Sequence, residues 1–278
     1  MNDIEKALLF VKSTLESPMQ WWLVFIVVSA LFLVLEWRWP AEPGHTMQGR
    51  LRNIGFSLLF VVFGSFCVQL TLGLIQGFTR ELVPFTGWLR SVGAIVATLF
   101  IGDCIYYWYH RAQHRFAPLW MLHELHHADD QLNATTSRRT YFLEKPIQFL
   151  IIVIPSLILV QTVPLLSFAR MDAVGLSLYP YIAILWLVFT HANIRLSFGS
   201  FAVVATGPQY HRIHHSLEPD HIDKNFAQFF PILDKIFGTY VHPTPHVFPK
   251  TGTPNLASNA DILETQLRPF KQWFGALK

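Results

Sequence analysis

Residues 88–127 read WLRSVGAIVATLFIGDCIYYWYHRAQHRFAPLWMLHELHH, and the fold turns on them. Positions 88–109 are apolar and aromatic over the span of about 20 residues that a helix needs to cross a hydrocarbon core about 30 Å thick. The run leads without a break into His110 and His114, spaced H-x-x-x-H, and then to His123, His126 and His127, spaced H-x-x-H-H. On a helix, residues i, i+3 and i+4 project from one face. The first spacing therefore sets two imidazoles together and the second sets three, at the end of a membrane-crossing helix.

Working outward, four more stretches are long and apolar enough to be spans: 21–37, 54–78, 147–168 and 174–193. The chain has 278 residues, 52% hydrophobic and only 14% charged, where a soluble domain carries about 25% charged residues. That excludes an ordinary soluble protein, and 24 phenylalanines exclude disorder. Cys67 and Cys104 both fall inside apolar runs, so neither a disulfide framework nor a cysteine zinc site is supported. The net charge is +3, but the basic residues are scattered and form no nucleic-acid groove. Asp3 and Glu5 stand where a signal peptide needs positive charge. Ile4, Leu8, Val11 and Leu15 recur at helical spacing, as in an interfacial amphipathic helix.

Charge bias orients the chain. With the N-terminus outside, 16 of the 21 lysines and arginines fall inside, as the positive-inside rule requires. The runs at 147–168 and 174–193 then form a hairpin, so the chain leaves and regains one membrane face. The expected fold is all-α: a multi-span integral membrane helical bundle with a cytoplasmic helical cap carrying a histidine-rich dimetal site. Residues 1–97 supply the interfacial helix and spans, 98–245 the catalytic unit and 246–278 a C-terminal tail.

Nine of the 13 histidines lie in four short places. Besides the five already named, His191 stands in HAN, and His211, His214 and His215 make a second H-x-x-H-H in HRIHH. Imidazole suits iron, copper, nickel and zinc, whereas magnesium and calcium prefer oxygen. Nine exceed what one ion can use, so two ions are the economical inference. His45, His242 and His246 read as ordinary polar side chains, and His221, close behind the last cluster, stays open.

The order of these blocks is specific. DCIYYWYHRAQH, PLWMLHELHH, DQLNATTSRR, FTHANI, HRIHHS and DKNFAQFFPILDKIFGTY, over about 103–240, resemble in sequence the fatty acid hydroxylase and sterol desaturase superfamily of integral membrane diiron enzymes. The resemblance implies that His110, His114, His123, His126, His127, His191, His211, His214 and His215 are iron ligands. It also implies that Asp103, Asn193, Asp223 and Asn225 orient them from behind. One departure is visible: RTYFLE at 139–144 has Tyr141 and Phe142 where many members have a histidine and a proline.

The chemistry implied is O2-dependent hydroxylation or desaturation of a lipid, whether sterol, fatty acyl chain, carotenoid or ether lipid. Two iron ions carry it and O2 is co-substrate, with no tightly bound nucleotide. No G-x-G-x-x-G fingerprint or iron–sulfur cysteine pattern is present, so electrons must come from a partner reductase or small carrier. Arg111, Arg115 and Lys224 lie on the face where it would dock. The C-terminal GALK carries no dilysine signal, which favours a bacterial plasma membrane with the metal site cytoplasmic. A zinc-dependent membrane hydrolase of a lipid amide or ester, with Glu124 as base, is the competing reading. A metal transporter would instead string its histidines across the membrane.

Overall fold

The computed structural model describes residues 18–59 and 83–275. The amphipathic segment at Ile4 to Leu15, most of the apolar run at 54–78 and Cys67 lie outside the described residues. Among the described residues all regular structure is helical. Two isolated bridges, Pro40 with Ile194 and Ser216 with Thr251, tie loops together, and Cys104 is a free thiol.

The first apolar run forms the helix Pro18–Arg38, and residues 47–59 are helical as well. The third forms Trp88–Arg115, which continues past the apolar stretch through both histidines of H-x-x-x-H. Among the described residues this one helix is long and apolar enough to cross a membrane, and the apolar helix Ser177–His191 is shorter. The run read as one span at 147–168 is segmented: an α-helix Glu144–Gln148, a π-helical turn Phe149–Val153, an α-helix Ile154–Thr162 and a 3-10 helix Pro164–Ala169. Proline explains the breaks. Pro155 has no N–H to give to the carbonyl four residues back, and its ring crowds that carbonyl, so a π-turn fits just ahead of it. Pro164 forces Val163 into extended backbone and ends the α-helix.

Two helices carry the site, and they start side by side. Asp172 caps Ala173–His191 by accepting the Gly175 N–H at 2.8 Å, and its other oxygen accepts from Ser91 Oγ at 2.6 Å, in the first turn of Trp88–Arg115. Thr98 Oγ1 donates to the Ala169 carbonyl at 3.0 Å. Ala94, Ile95, Leu99 and Met171 fill the space between, against Tyr179 and Ile182. The two helices run parallel and release their histidines at the same end. Pro18–Arg38 lies against Ala173–His191 through Phe25, Ile184 and Val188.

The outward faces of these helices are apolar. Leu23, Val27, Leu31 and Val34 form an exposed stripe along the first, and Leu89, Val92, Val96 and Phe100 form one along Trp88–Arg115. Contiguous apolar surface of this extent marks a contact with lipid or another protein rather than with water.

The polar end of the bundle is clamped by Glu36, buried at the close of Pro18–Arg38. Its Oε1 accepts the backbone N–H of Ala134 at 2.7 Å and of Asn193 at 2.8 Å, while Oε2 is ion-paired with the buried Arg50. One carboxylate thereby joins the first helix, the 47–59 helix, the NATTSR segment and the residue two beyond His191. Arg139, also buried, donates to the Leu125 carbonyl at 3.1 Å, to Asn53 Oδ1 at 3.0 Å and to the Ser258 carbonyl at 2.9 Å. Residues beyond 246 are tied in the same way, with Gln266 receiving the Phe142 N–H and donating to the Thr140 carbonyl.

Replacing Glu36 by Ala leaves two buried amides without their acceptor and the buried Arg50 without its carboxylate, with only Asn133 Oδ1 still accepting from it, and costs about 3–5 kcal/mol of stability. Glu36→Gln keeps an acceptor oxygen for the amides and costs less. Thermal unfolding in detergent checks the order; equal melting temperatures for the two variants would show that the clamp is incidental.

Candidate metal centre

Each histidine block arrives on an element whose local reason is legible. His110 and His114 end the long helix. His123 precedes the one-turn helix Glu124–His127, and His191 closes Ala173–His191. His211 and His214 lie on Pro208–His214, with proline in its first turn where a missing N–H is harmless, and His215 follows directly.

The nine imidazoles meet, but as two groups that cut across the motifs. His110, His114, His123, His127 and His214 form one; His126, His191, His211 and His215 form the other, and within each group the ligand atoms lie within 4.8 Å of one another. Each H-x-x-H-H is divided. Its first and last histidines, one turn apart, go to one group and the middle one to the other. The two motifs do this in opposite senses, so HELHH gives two imidazoles to the first group and HRIHH gives two to the second. The rings of His127 and His215 stack across the divide, 4.4 Å between centroids. His221 belongs to neither group; its Nδ1 faces Ser216 Oγ at 3.0 Å.

The proton positions on these rings are set from behind. His110 Nδ1 donates to the Phe226 carbonyl at 2.8 Å, His191 Nδ1 to the Leu187 carbonyl at 2.7 Å and His214 Nδ1 to the Lys224 carbonyl at 2.8 Å. His123 Nδ1 donates to Glu144 Oε1 at 2.7 Å, and His114 Nδ1 meets Asp223 Oδ1 at 3.3 Å. A neutral imidazole with its proton on Nδ1 presents a bare lone pair at Nε2. In His110–His123 two such lone pairs face one another, Nε2 to Nε2 3.0 Å, and the bare Nε2 of His191 stands 3.0 Å from the Nε2 of both His126 and His211. His123–His127 and His211–His215 stand at 3.2 and 3.1 Å. The Nε2 atoms of His114 and His214 are buried with no partner at all.

Lone pairs at this distance repel unless a cation lies between them, so the residues fit a metal in each group. With metal–nitrogen bonds of about 2.1 Å, two ligands at a right angle lie about 3.0 Å apart and two at the tetrahedral angle about 3.4 Å. The observed edges match the right angle. Burial, with the neighbouring histidines adding to it, holds His123, His126, His127, His211, His214 and His215 well below the ordinary imidazole pKa, which keeps them neutral and ligand-competent.

Of the four polar residues singled out in the sequence, Asp223 touches a clustered imidazole and the other three grip backbone. Asp103 accepts the N–H groups of Gln228, Phe229 and Phe230 at 2.8–2.9 Å, just beyond the carbonyl that holds His110. Asn225 donates to the Tyr210 and Val241 carbonyls. Asn193 exchanges bonds with Glu42 and accepts from Arg212, which lies between His211 and His214. Asp223 and Asn225 both sit at φ 57, a left-handed conformation that Asp and Asn tolerate best among residues with a side chain. Sequence reasoning missed Glu144. The signal was there, a lone carboxylate ahead of an apolar run, but nothing in the spacing pointed it at His123.

Comparison with known proteins gives a consistent picture. A model of the family described as fatty acid hydroxylase matches residues 95–239. Among curated proteins the chain is similar to alkylglycerol monooxygenase of Xenopus tropicalis, 23% identical over 78% of this chain and 46% of that protein. It is likewise similar to alkylglycerol monooxygenase of Homo sapiens, 30% identical over 78% and 46%, and to lathosterol oxidase of Rattus norvegicus, 26% identical over 60% and 53%. The chain spans about half the length of these relatives. No solved structure shows a significant match.

Two outcomes follow from the geometry. Glu144→Ala frees the His123 ring and weakens metal affinity about 10–100-fold, with Glu144→Gln milder because an acceptor oxygen remains; metal titration of the purified variants reads this directly. The second concerns pH. The buried histidines have folded pKa values below the unfolded value of about 6.5, so the unfolded chain binds more protons between the two. The metal-free protein is therefore stable above that window and loses stability as pH falls through about 6.5 and below. A melting temperature flat from neutral pH to pH 5 would contradict the burial of neutral rings.

Proposed function

Because the chain belongs to the fatty acid hydroxylase family, whose model covers more than half of it, we propose that it is a membrane-bound, O2-dependent oxidoreductase that hydroxylates or desaturates a lipid with a pair of iron ions. The observation that carries this reading is the division of nine buried imidazoles into a group of five and a group of four, both fed by each H-x-x-H-H. A single-ion hydrolytic site needs three protein ligands and an open position. Glu124, the carboxylate a hydrolase would use as base, is paired with Arg268 at 3.2 Å and stands in neither group. The right-angle nitrogen edges favour a six-coordinate metal such as iron over tetrahedral zinc.

In this reading all nine clustered histidines are ligands. Asp223 and Glu144 orient them directly, whereas Asp103, Asn193 and Asn225 do so through the backbone. When bound, the iron pair supplies O2 activation and the power to take hydrogen from an unactivated C–H bond, which no side chain can do. The protein holds five of the nine rings, those of His110, His114, His123, His191 and His214, by Nδ1 so that their Nε2 needs no reorganisation, and it buries the centre away from water. Residues 98–245 are the catalytic unit, 1–97 the membrane-facing part and 246–278 a C-terminal tail.

The membrane setting is supported by the exposed apolar stripes on Pro18–Arg38 and Trp88–Arg115, and a lipid substrate by the names of the similar proteins. A multi-span bundle with the metal cap at its cytoplasmic end, in a bacterial plasma membrane, accommodates them. A lipid then approaches between Trp88–Arg115, Ile154–Thr162 and Ala173–His191, the first of which touches both of the others. Electrons come from a separate reductase or small haem or iron–sulfur carrier.

His126→Ala removes a ligand of the four-histidine group and His214→Ala one of the five-histidine group; each abolishes lipid oxidation and lowers iron content. Lipids from a deletion strain and a complemented strain, compared by mass spectrometry, differ by an added oxygen or a loss of two hydrogens. Product formation that persists without O2 would eliminate the oxygenase reading.

A further inference from the structure

Trp120 closes the short helix Ala117–Trp120 and faces two ways. On one side its indole lies against three of the five imidazoles of the first group, with ring centroids 5.1 Å from His114, 5.4 Å from His127 and 6.3 Å from His123. On the other it lines a surface-open cavity of about 370 Å³ whose walls include Glu124, Asn255, Arg268 and Gln272. His114, the ring nearest to Trp120, is also the one histidine of the nine that is not fully buried. A conjugated ring in contact with the ligands thus bridges the outside and one metal group.

Positive charge lies next to the cavity, on residues close in sequence to its lining. Glu124 in its wall is met by Arg268 at 3.2 Å. Arg115 is exposed two residues before Ala117, and Lys271 stands beside Gln272. Such charge steers an acidic protein towards it.

We propose that Trp120 is the electron gateway of the centre and that a small acidic one-electron carrier, holding haem or an iron–sulfur cluster, docks over its cavity. This rests on the diiron reading above. Each encounter oxidises the carrier by one electron and reduces one metal ion by one. The indole conducts and is unchanged afterwards, and no bond is made or broken. Two encounters deliver the electron pair that one O2 requires in addition to those drawn from the substrate.

The test uses the iron-loaded full chain in detergent, with a reduced acidic [2Fe–2S] ferredoxin as probe carrier and dithionite as small reductant. Iron reduction is followed by stopped-flow absorbance, ferredoxin binding by titration and iron content by metal analysis. Trp120→Leu is expected to lose most of the ferredoxin-driven reduction rate, with Trp120→Phe retaining more, while iron content and reduction by dithionite stay at wild-type values. Arg115→Glu, a surface change, is expected to slow ferredoxin association about tenfold at low salt, with the difference vanishing at high salt. Unchanged ferredoxin-driven reduction in Trp120→Leu overturns the proposal. So does equal slowing with both reductants or loss of iron, which would make Trp120 a packing residue. Arg115→Glu raising the KM for lipid while leaving ferredoxin binding intact also overturns it, because the cavity would then be a headgroup subsite. A wild-type protein that accepts electrons from neither reductant sinks the diiron reading itself.

Discussion

Unprotonated nitrogens pointed at one another inside a protein are the constraint on which this structure rests. Five Nε2 pairs stand 3.0–3.2 Å apart, and in His110–His123 both rings already have their proton committed at Nδ1. No hydrogen bond can relieve such a contact, and water is excluded. A cation relieves it, which is why the arrangement reads as two coordination sites rather than as a polar core. Protonation would also break the pattern, but burial disfavours the charged form.

Much of the surrounding fold serves to keep those rings from turning away. Backbone carbonyls at Phe226, Leu187 and Lys224 hold three of them, and carboxylates at Glu144 and Asp223 hold two more. The carbonyls are held in turn. Asp103 gathers three consecutive amides next to Phe226, and Asp234 accepts the N–H groups of Phe226 and Ala227 at 2.7 and 2.8 Å. On the opposite side Glu36 and Asn193 fasten the chain beyond His191 to the first helix and to Glu42. The rings of His110, His114, His123, His191 and His214 are thus backed by hydrogen-bonded groups, and such a network rigidifies a polar interior.

The placement of the centre follows from the two parallel helices. Because Trp88–Arg115 and Ala173–His191 start together at Ser91 and Asp172, His110 on the one comes level with His191 at the end of the other, and the apolar stretch beneath the histidines is shared. In the proposed function a hydrophobic substrate remains among apolar side chains until its reacting carbon reaches the histidines, while a charged partner meets the opposite, polar face. One architecture would separate the two deliveries that the proposed oxygenase reaction needs.

The helical class, the apolar runs and the identity of the nine clustered histidines were legible in the sequence, since each depends on local periodicity: hydrophobic runs, and imidazoles at i, i+3 and i+4. The segmentation after Lys145 was also latent there, in Pro155 and Pro164, though the hydropathy of the run hid it. What tertiary structure alone decided is how the histidines are shared. A helix turns about 100° per residue, so positions i and i+4 lie within about 40° of each other while i+3 swings to the other side. Whether that difference places the middle histidine in the same site or in a second one depends on what faces it, and His191 and the HRIHH helix come from sequence positions far away. The Nδ1 partners were equally unreadable. Most are carbonyls, which every residue possesses, and only folding determines which of them a ring can reach.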